Sequence, residues 1–195
     1  MVNLYEEKLS NKELEFLVND TVFSKEEISA LFERFVYLDR KECGFLSFTD
    51  FEMIPEFNCN PFRHLLLQNT EDSENDFEKM NFGYFLDFLS IFHKDSSRVK
   101  RIHYLFKIFD LDKNHRLDKN VLIKIFEKMG IEPTESEIDD VLSYDSGHKG
   151  YLDIVDFTKF YNEDENLDNL MIFDFTKIAP EPEKPATFWD IFGFY

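Results

Sequence analysis

Four apolar positions, Leu46, Met80, Leu117 and Leu152, recur at spacings of 34, 37 and 35 residues. Such a period, with helical patterning on both sides of each position, describes one supersecondary unit copied four times, and a lone copy would leave its apolar face wet. The chain must therefore fold by packing copies against one another. The third copy shows the pattern best: Ile102, Leu105, Phe106 and Phe109 form one buried stripe at 3.6 residues per turn, and a polar segment follows from Asp110.

Each polar segment resembles the twelve-residue calcium loop of an EF-hand. In that motif positions 1, 3, 5, 7, 9 and 12 present oxygens, position 6 is glycine for a sharp turn, and an apolar position 8 separates the halves. In the third copy Asp110, Asp112, Asn114, Arg116, Asp118 and Val121 fall at the ligand positions, with Leu117 at position 8. The expected fold class is all-α: four EF-hands in two paired lobes, short β-bridges between loops, an N-terminal helix and an aromatic C-terminal tail. Residues 1–95 are expected to form the first lobe, 96–162 the second and 163–195 the tail. Bridging at position 8 pairs Leu46 with Met80, and Leu117 with Leu152.

Calcium takes six to eight oxygens, two of them normally from an acidic residue at position 12. None of the four loops has Glu there. The first has Asp39, Gly44 and Asp50, but Lys41 and Cys43 stand at positions 3 and 5. The second places Ser73, Phe77 and Tyr84 at positions 1, 5 and 12, a structural relic. The fourth keeps Asp145, Gly150, Asp153 and Asp156 with Gly147 and Lys149 at positions 3 and 5, and its entering stripe of Ile138, Val141 and Leu142 is offset by one, as though one residue were deleted. Only the third loop retains four side-chain oxygens, and there His115 replaces the glycine and Val121 removes the bidentate carboxylate. No cofactor is expected to be required: the ligand sets predict no cation at physiological levels, and if any weak Ca²⁺ or Mg²⁺ site survives it is at this loop.

Local signals place the helices. Residues 1–20 read as a weakly amphipathic helix. Ser24 with Glu27, and Thr134 with Glu137, are capping boxes, and Phe23 with Ile28 is the matching hydrophobic staple. Pro55 ends the first exit helix, Asn60-Pro61 opens a helix through Leu67, residues 82–92 form the second exit helix, and Gly130 stops the third. Beyond Ala179 a proline-bearing linker leads to an aromatic end, whose Phe188, Trp189 and Phe192 are expected to make a contact as a lid or second grip.

The net charge of −18 repels nucleic acid and favours basic or amphipathic partners. Two cysteines without metal spacing fit a reducing, cytoplasmic setting, and no run reaches 18 apolar residues. The Met1-Val2 start offers no glycine for myristoylation, so no direct membrane anchor is expected and any membrane association runs through a partner. The five histidines form no nucleophile-and-base spacing, and no glycine-rich phosphate loop exists, so the chain reads as non-enzymatic. Each of the 24 phenylalanines reads singly as core, but collectively they point to a groove that needs a partner helix or the chain's own tail. Paired helices of this fold leave an apolar groove, which Phe35, Phe85, Phe88, Leu89, Phe106, Phe126 and Met129 are expected to build, and an amphipathic helix would fill it.

The run Phe23-Ser24-x-x-Glu27-Ile28, then Arg34-Phe35, Leu38-Asp39, Leu46-Ser47, Asp50-Phe51, Ile54-Pro55-Glu56 and Asn60-Pro61, resembles the first half of calcineurin B and the calcineurin B homologous proteins. Residues 60–62, 85–92 and 106–110 are equally similar to the calcium and integrin binding proteins. The resemblance covers about residues 9–160. It implies a regulatory or scaffolding subunit that grips an amphipathic helix of a larger protein, such as a phosphatase catalytic chain, an ion exchanger tail or a channel segment. It also implies calcium in the third and fourth hands, from which Val121, His115, Gly147, Lys149 and Asp156 depart. Two alternatives are a light chain of a cytoskeletal motor and a weak calcium sensor acting through the third hand.

Overall fold

The computed structural model describes residues 9–51, 53–58, 60–68 and 80–175. Its helices are α1 (Asn11–Asp20), α2 (Lys25–Leu38), α3 (Phe48–Phe51), α4 (Pro55–Asn58), α5 (Arg63–Gln68), α6 (Phe82–Ser90), α7 (Arg98–Phe109), α8 (Lys119–Lys128), α9 (Glu135–Leu142), α10 (Ile154–Glu163) and α11 (Glu165–Leu170). Strands β1 (Leu117–Asp118) and β2 (Tyr151–Leu152) pair antiparallel with Leu117 opposite Leu152, and Leu46 bridges Met80. Both expected position-8 pairings are therefore present. Their side chains, from 0% to 5% exposed, lie in the core, so one residue both joins two loops and fills the space beneath them.

Helix boundaries follow local chemistry. The Ser24 and Thr134 hydroxyls accept from the amides of Glu27 and Glu137, whose carboxylates reach back to the cap amides. A third capping box, Ser10 with Glu13, starts α1 at Asn11. Pro55 does more than stop a helix, since it opens α4 at a first-turn position where its missing N–H costs nothing. Asn60 directs its side-chain oxygen to the Phe62 amide at 2.7 Å, which makes a turn of Pro61-Phe62 and delays α5 to Arg63, two residues later than expected. Gly130, at φ 76°, follows the end of α8 in a left-handed conformation that suits glycine.

The chain divides into two compact units. The first takes the described residues up to 58, together with 67–68, 80–96 and 172–175. Ile28, Leu31, Phe35 and Leu38 of α2 and Phe85, Leu86 and Leu89 of α6 are its core, with Phe35 and Phe85 meeting edge to face at 5.5 Å. The second takes 60–66 and 97–171. Contacts that tie residues 60–66 to it include Phe62 packing edge-on against Phe109 at 5.5 Å and the Asn60 amide donating to the Leu170 carbonyl at 2.6 Å.

Within the second unit α11 is an element that the sequence pattern does not announce. Asp168 holds it, accepting from Arg101 Nε of α7 at 2.7 Å and from the Tyr161 hydroxyl of α10 at 2.8 Å. Burial pushes the Asp168 carboxyl up, but the hydrogen bonds from Arg101 and Tyr161 hold it below its ordinary value. Arg101 is 4% exposed, and Asp168 faces it with two charge-assisted hydrogen bonds that the neutral amide of an asparagine cannot match. Asp168→Asn should therefore cost about 3 kcal/mol in denaturant unfolding at neutral pH. Because the folded-state pKa is depressed, this stabilisation is present above the unfolded carboxylate value of about 3.9 and is lost as pH falls through the folded one. The gap between variant and wild type should accordingly close in acid.

Candidate functional site

Three calcium-type loops lie within the described residues, and they share one backbone design. Positions 4 and 6 have positive φ in each: Glu42 48° and Gly44 82°, Lys113 57° and His115 61°, His148 51° and Gly150 80°. The position-1 carboxylate closes each turn from inside. Asp39 accepts from the amides of Cys43 at 3.2 Å and Gly44 at 2.6 Å, Asp110 from Asn114 and His115 at 3.0 Å each, and Asp145 from Gly147 at 3.1 Å and Gly150 at 2.7 Å. His115 thus occupies the left-handed position that normally takes glycine, at a cost of about 1 kcal/mol.

The offset of the fourth hand is absorbed where its entering helix ends. In the first and third hands the position-1 amide bonds four residues back, Asp39 to Phe35 and Asp110 to Phe106, both at 2.9 Å. In the fourth, Asp145 bonds three residues back to Leu142 at 3.0 Å. The last turn has tightened to a 3₁₀ form, which needs fewer residues per turn and delivers Asp145 to its place.

Calcium, which this fold family implies, fits the loops unequally. Asp50 turns its carboxylate onto the Ser47 amide at 2.8 Å and the Ser47 hydroxyl. Val121 offers no side-chain oxygen, and its amide donates to Asp118 at 2.9 Å, so the position-9 carboxylate caps α8. Asp112 accepts from the Asn114 amide group at 2.7 Å. In the fourth loop the Lys149 ammonium lies among the carboxylates, 2.7 Å from Asp153 and 2.5 Å from Asp156. Burial pushes Asp156 up, and the hydrogen bonds from Lys149 and Ser146 override it, holding the group well below the usual carboxylate range. Of the second loop only Met80 and Tyr84 among its named positions are described, and Ser73 and Phe77 lie outside the described residues.

The expected groove residues divide between the units. Phe35, Phe85 and Leu89 are buried and Phe88 half-buried in the first, while Phe106 and Phe126 are buried and Met129 half-buried in the second. On the first unit an open apolar hollow is lined by Phe16, Leu17, Phe32, Phe35 and Phe82 from α1, α2 and α6, with Phe16 65% exposed. Elsewhere in that unit the chain's own segment after Met171 has docked. Phe173 and Phe175 stand 5.5 and 5.9 Å from Phe57, which also meets Phe88 and Phe92. The Phe173 amide donates to the Phe92 carbonyl at 2.9 Å, and Arg34 bridges Glu56 and the Phe175 carbonyl. Phe188, Trp189 and Phe192 lie outside the described residues. Phe175→Ala should lower stability by roughly 3 kcal/mol in urea unfolding, whereas an unchanged midpoint would show that this seat contributes nothing.

Comparison with known proteins agrees with the geometry. The EF-hand domain pair family matches residues 99–162. The calcineurin B protein of Candida glabrata is 30% identical over 176 residues, covering 90% of this chain and 92% of that protein. The type 2 calcineurin B protein of Dictyostelium discoideum is 29% identical over 155 residues (76% and 84%), and the calcineurin B protein of Naegleria gruberi 26% over 169 residues (84% and 94%). All three are named as subunits of calcineurin. The chain belongs to the calcineurin B-like EF-hand family, whose members are regulatory and not catalytic. Among the described residues no helix is long and apolar enough to cross a membrane.

Proposed function

We propose that this protein is a non-enzymatic regulatory or scaffolding subunit that holds an amphipathic, basic or neutral helix of a larger protein, a phosphatase catalytic chain being the leading candidate. The observation that carries this reading is the open apolar hollow on the first unit, in a chain whose named relatives are themselves subunits. The chain's net charge of −18 favours a basic helix as the partner. Exchanger and channel tails, which the sequence also admits, find no counterpart in the names of those relatives. The protein would meet such a partner in the cytoplasm.

Calcium has little part in this function. The third loop supplies Asp110, Asp112, Asn114 and Asp118 without a position-12 carboxylate, which supports at most a weak site. Calorimetry at micromolar calcium should register no heat, and a submicromolar site abolished by Asp110→Ala would overturn this part of the proposal. For the partner, purification from native cells followed by mass spectrometry should recover a phosphatase catalytic chain. Phe16→Asp, at an exposed position, should then weaken that complex at least tenfold while the melting temperature holds. Recovery of a myosin or dynein chain would favour the motor light chain instead.

A further inference from the structure

We infer that the Lys149 ammonium is the resident cation of the fourth loop, a tethered group standing where a divalent ion would otherwise hold the hand together. Its Nζ lies 2.5 Å from Asp156, 2.7 Å from Asp153 and 3.9 Å from Asp145. These carboxylates come from loop positions 12, 9 and 1, spread over both halves of the loop, and they converge on this one atom. An ammonium carries three donors and no acceptor, so it can address three carboxylates at once. The Tyr151 ring, its centroid 5.1 Å away, adds a face that favours a cation.

Burial makes the arrangement obligatory. Asp156 is 1% and Asp145 7% exposed, and two such carboxylates near one another need a positive charge among them. Lys159 approaches Asp156 on its other oxygen at 3.6 Å, but from a half-exposed position outside the loop. Lys149 alone reaches all three. With it in place the loop keeps its left-handed residues at His148 and Gly150, the Asp145 bond to Gly150, and the β2 pairing to β1. The fourth hand is thus held in a charge-compensated form, and calcium or magnesium would have to displace a covalently attached competitor. This inference goes beyond partner binding.

The test uses the full-length protein, with the Gly150 amide resonance as a reporter confined to this loop. In the wild type, millimolar calcium should leave that resonance unmoved. Lys149→Asn removes the ammonium and offers an oxygen at position 5. In chelator its melting temperature should fall by about 3 °C or more, and calcium should shift its Gly150 resonance and raise its melting temperature. A wild-type Gly150 resonance that moves with calcium, or a chelated variant that melts like the wild type, would overturn the inference. Should the variant not fold, the wild-type titration decides alone.

Discussion

The position-1 carboxylates of the three described loops, Asp39, Asp110 and Asp145, are the interaction on which this structure depends. By accepting two backbone amides from its own loop, as Asp110 does from Asn114 and His115, each fixes the left-handed turns at positions 4 and 6. Those turns aim the position-8 residue at its partner loop, and the pairs Leu46 with Met80 and Leu117 with Leu152 follow. The sequence can therefore lose calcium ligands one after another without losing the hands. On the proposed reading, what a metal would supply from the centre of the loop comes from an aspartate on one side and, in the fourth hand, from Lys149 on the other.

The phenylalanine excess serves the same end. Phe57, fully buried, meets Phe88, Phe92, Phe173 and Phe175, so a segment near the C-terminus completes the core of the first unit. The edge-to-face pairs among them, with Phe92 and Phe173, contribute about 0.5–1.5 kcal/mol each beyond simple burial. The hollow beside α1 is different in kind, because Phe16 remains largely in water there. One apolar face is thus satisfied by the chain itself, and another stays open as the seat proposed for a partner.

Most of the local structure is legible in the residues because it is written within a few positions. Capping boxes at Ser24 and Thr134 and the stop at Gly130 act at short range, and the position-8 pairs, though distant, show as a repeat. The Ser10–Glu13 box carries the same signal, hidden by the helical pattern that runs through the whole of 1–20. Other features depend on groups far apart in sequence. Helix α11 is held by Asp168 bonding Arg101, 67 residues away, and no spacing announces it. The seat of Phe173 and Phe175 against Phe57 is equally long-range. At the fourth loop the sequence shows Lys149 in a ligand's place and an offset stripe, but not that the lysine turns inward or that a 3₁₀ turn repairs the register.

Hydrogen exchange at Gly44, His115 and Gly150 in the presence of a chelator tests the central claim most directly, because these are the amides that the three position-1 aspartates hold. Loops closed by their own groups should protect all three amides to a similar degree with chelator or with calcium. Rapid exchange in chelator, with protection appearing only when calcium is added, would contradict the account.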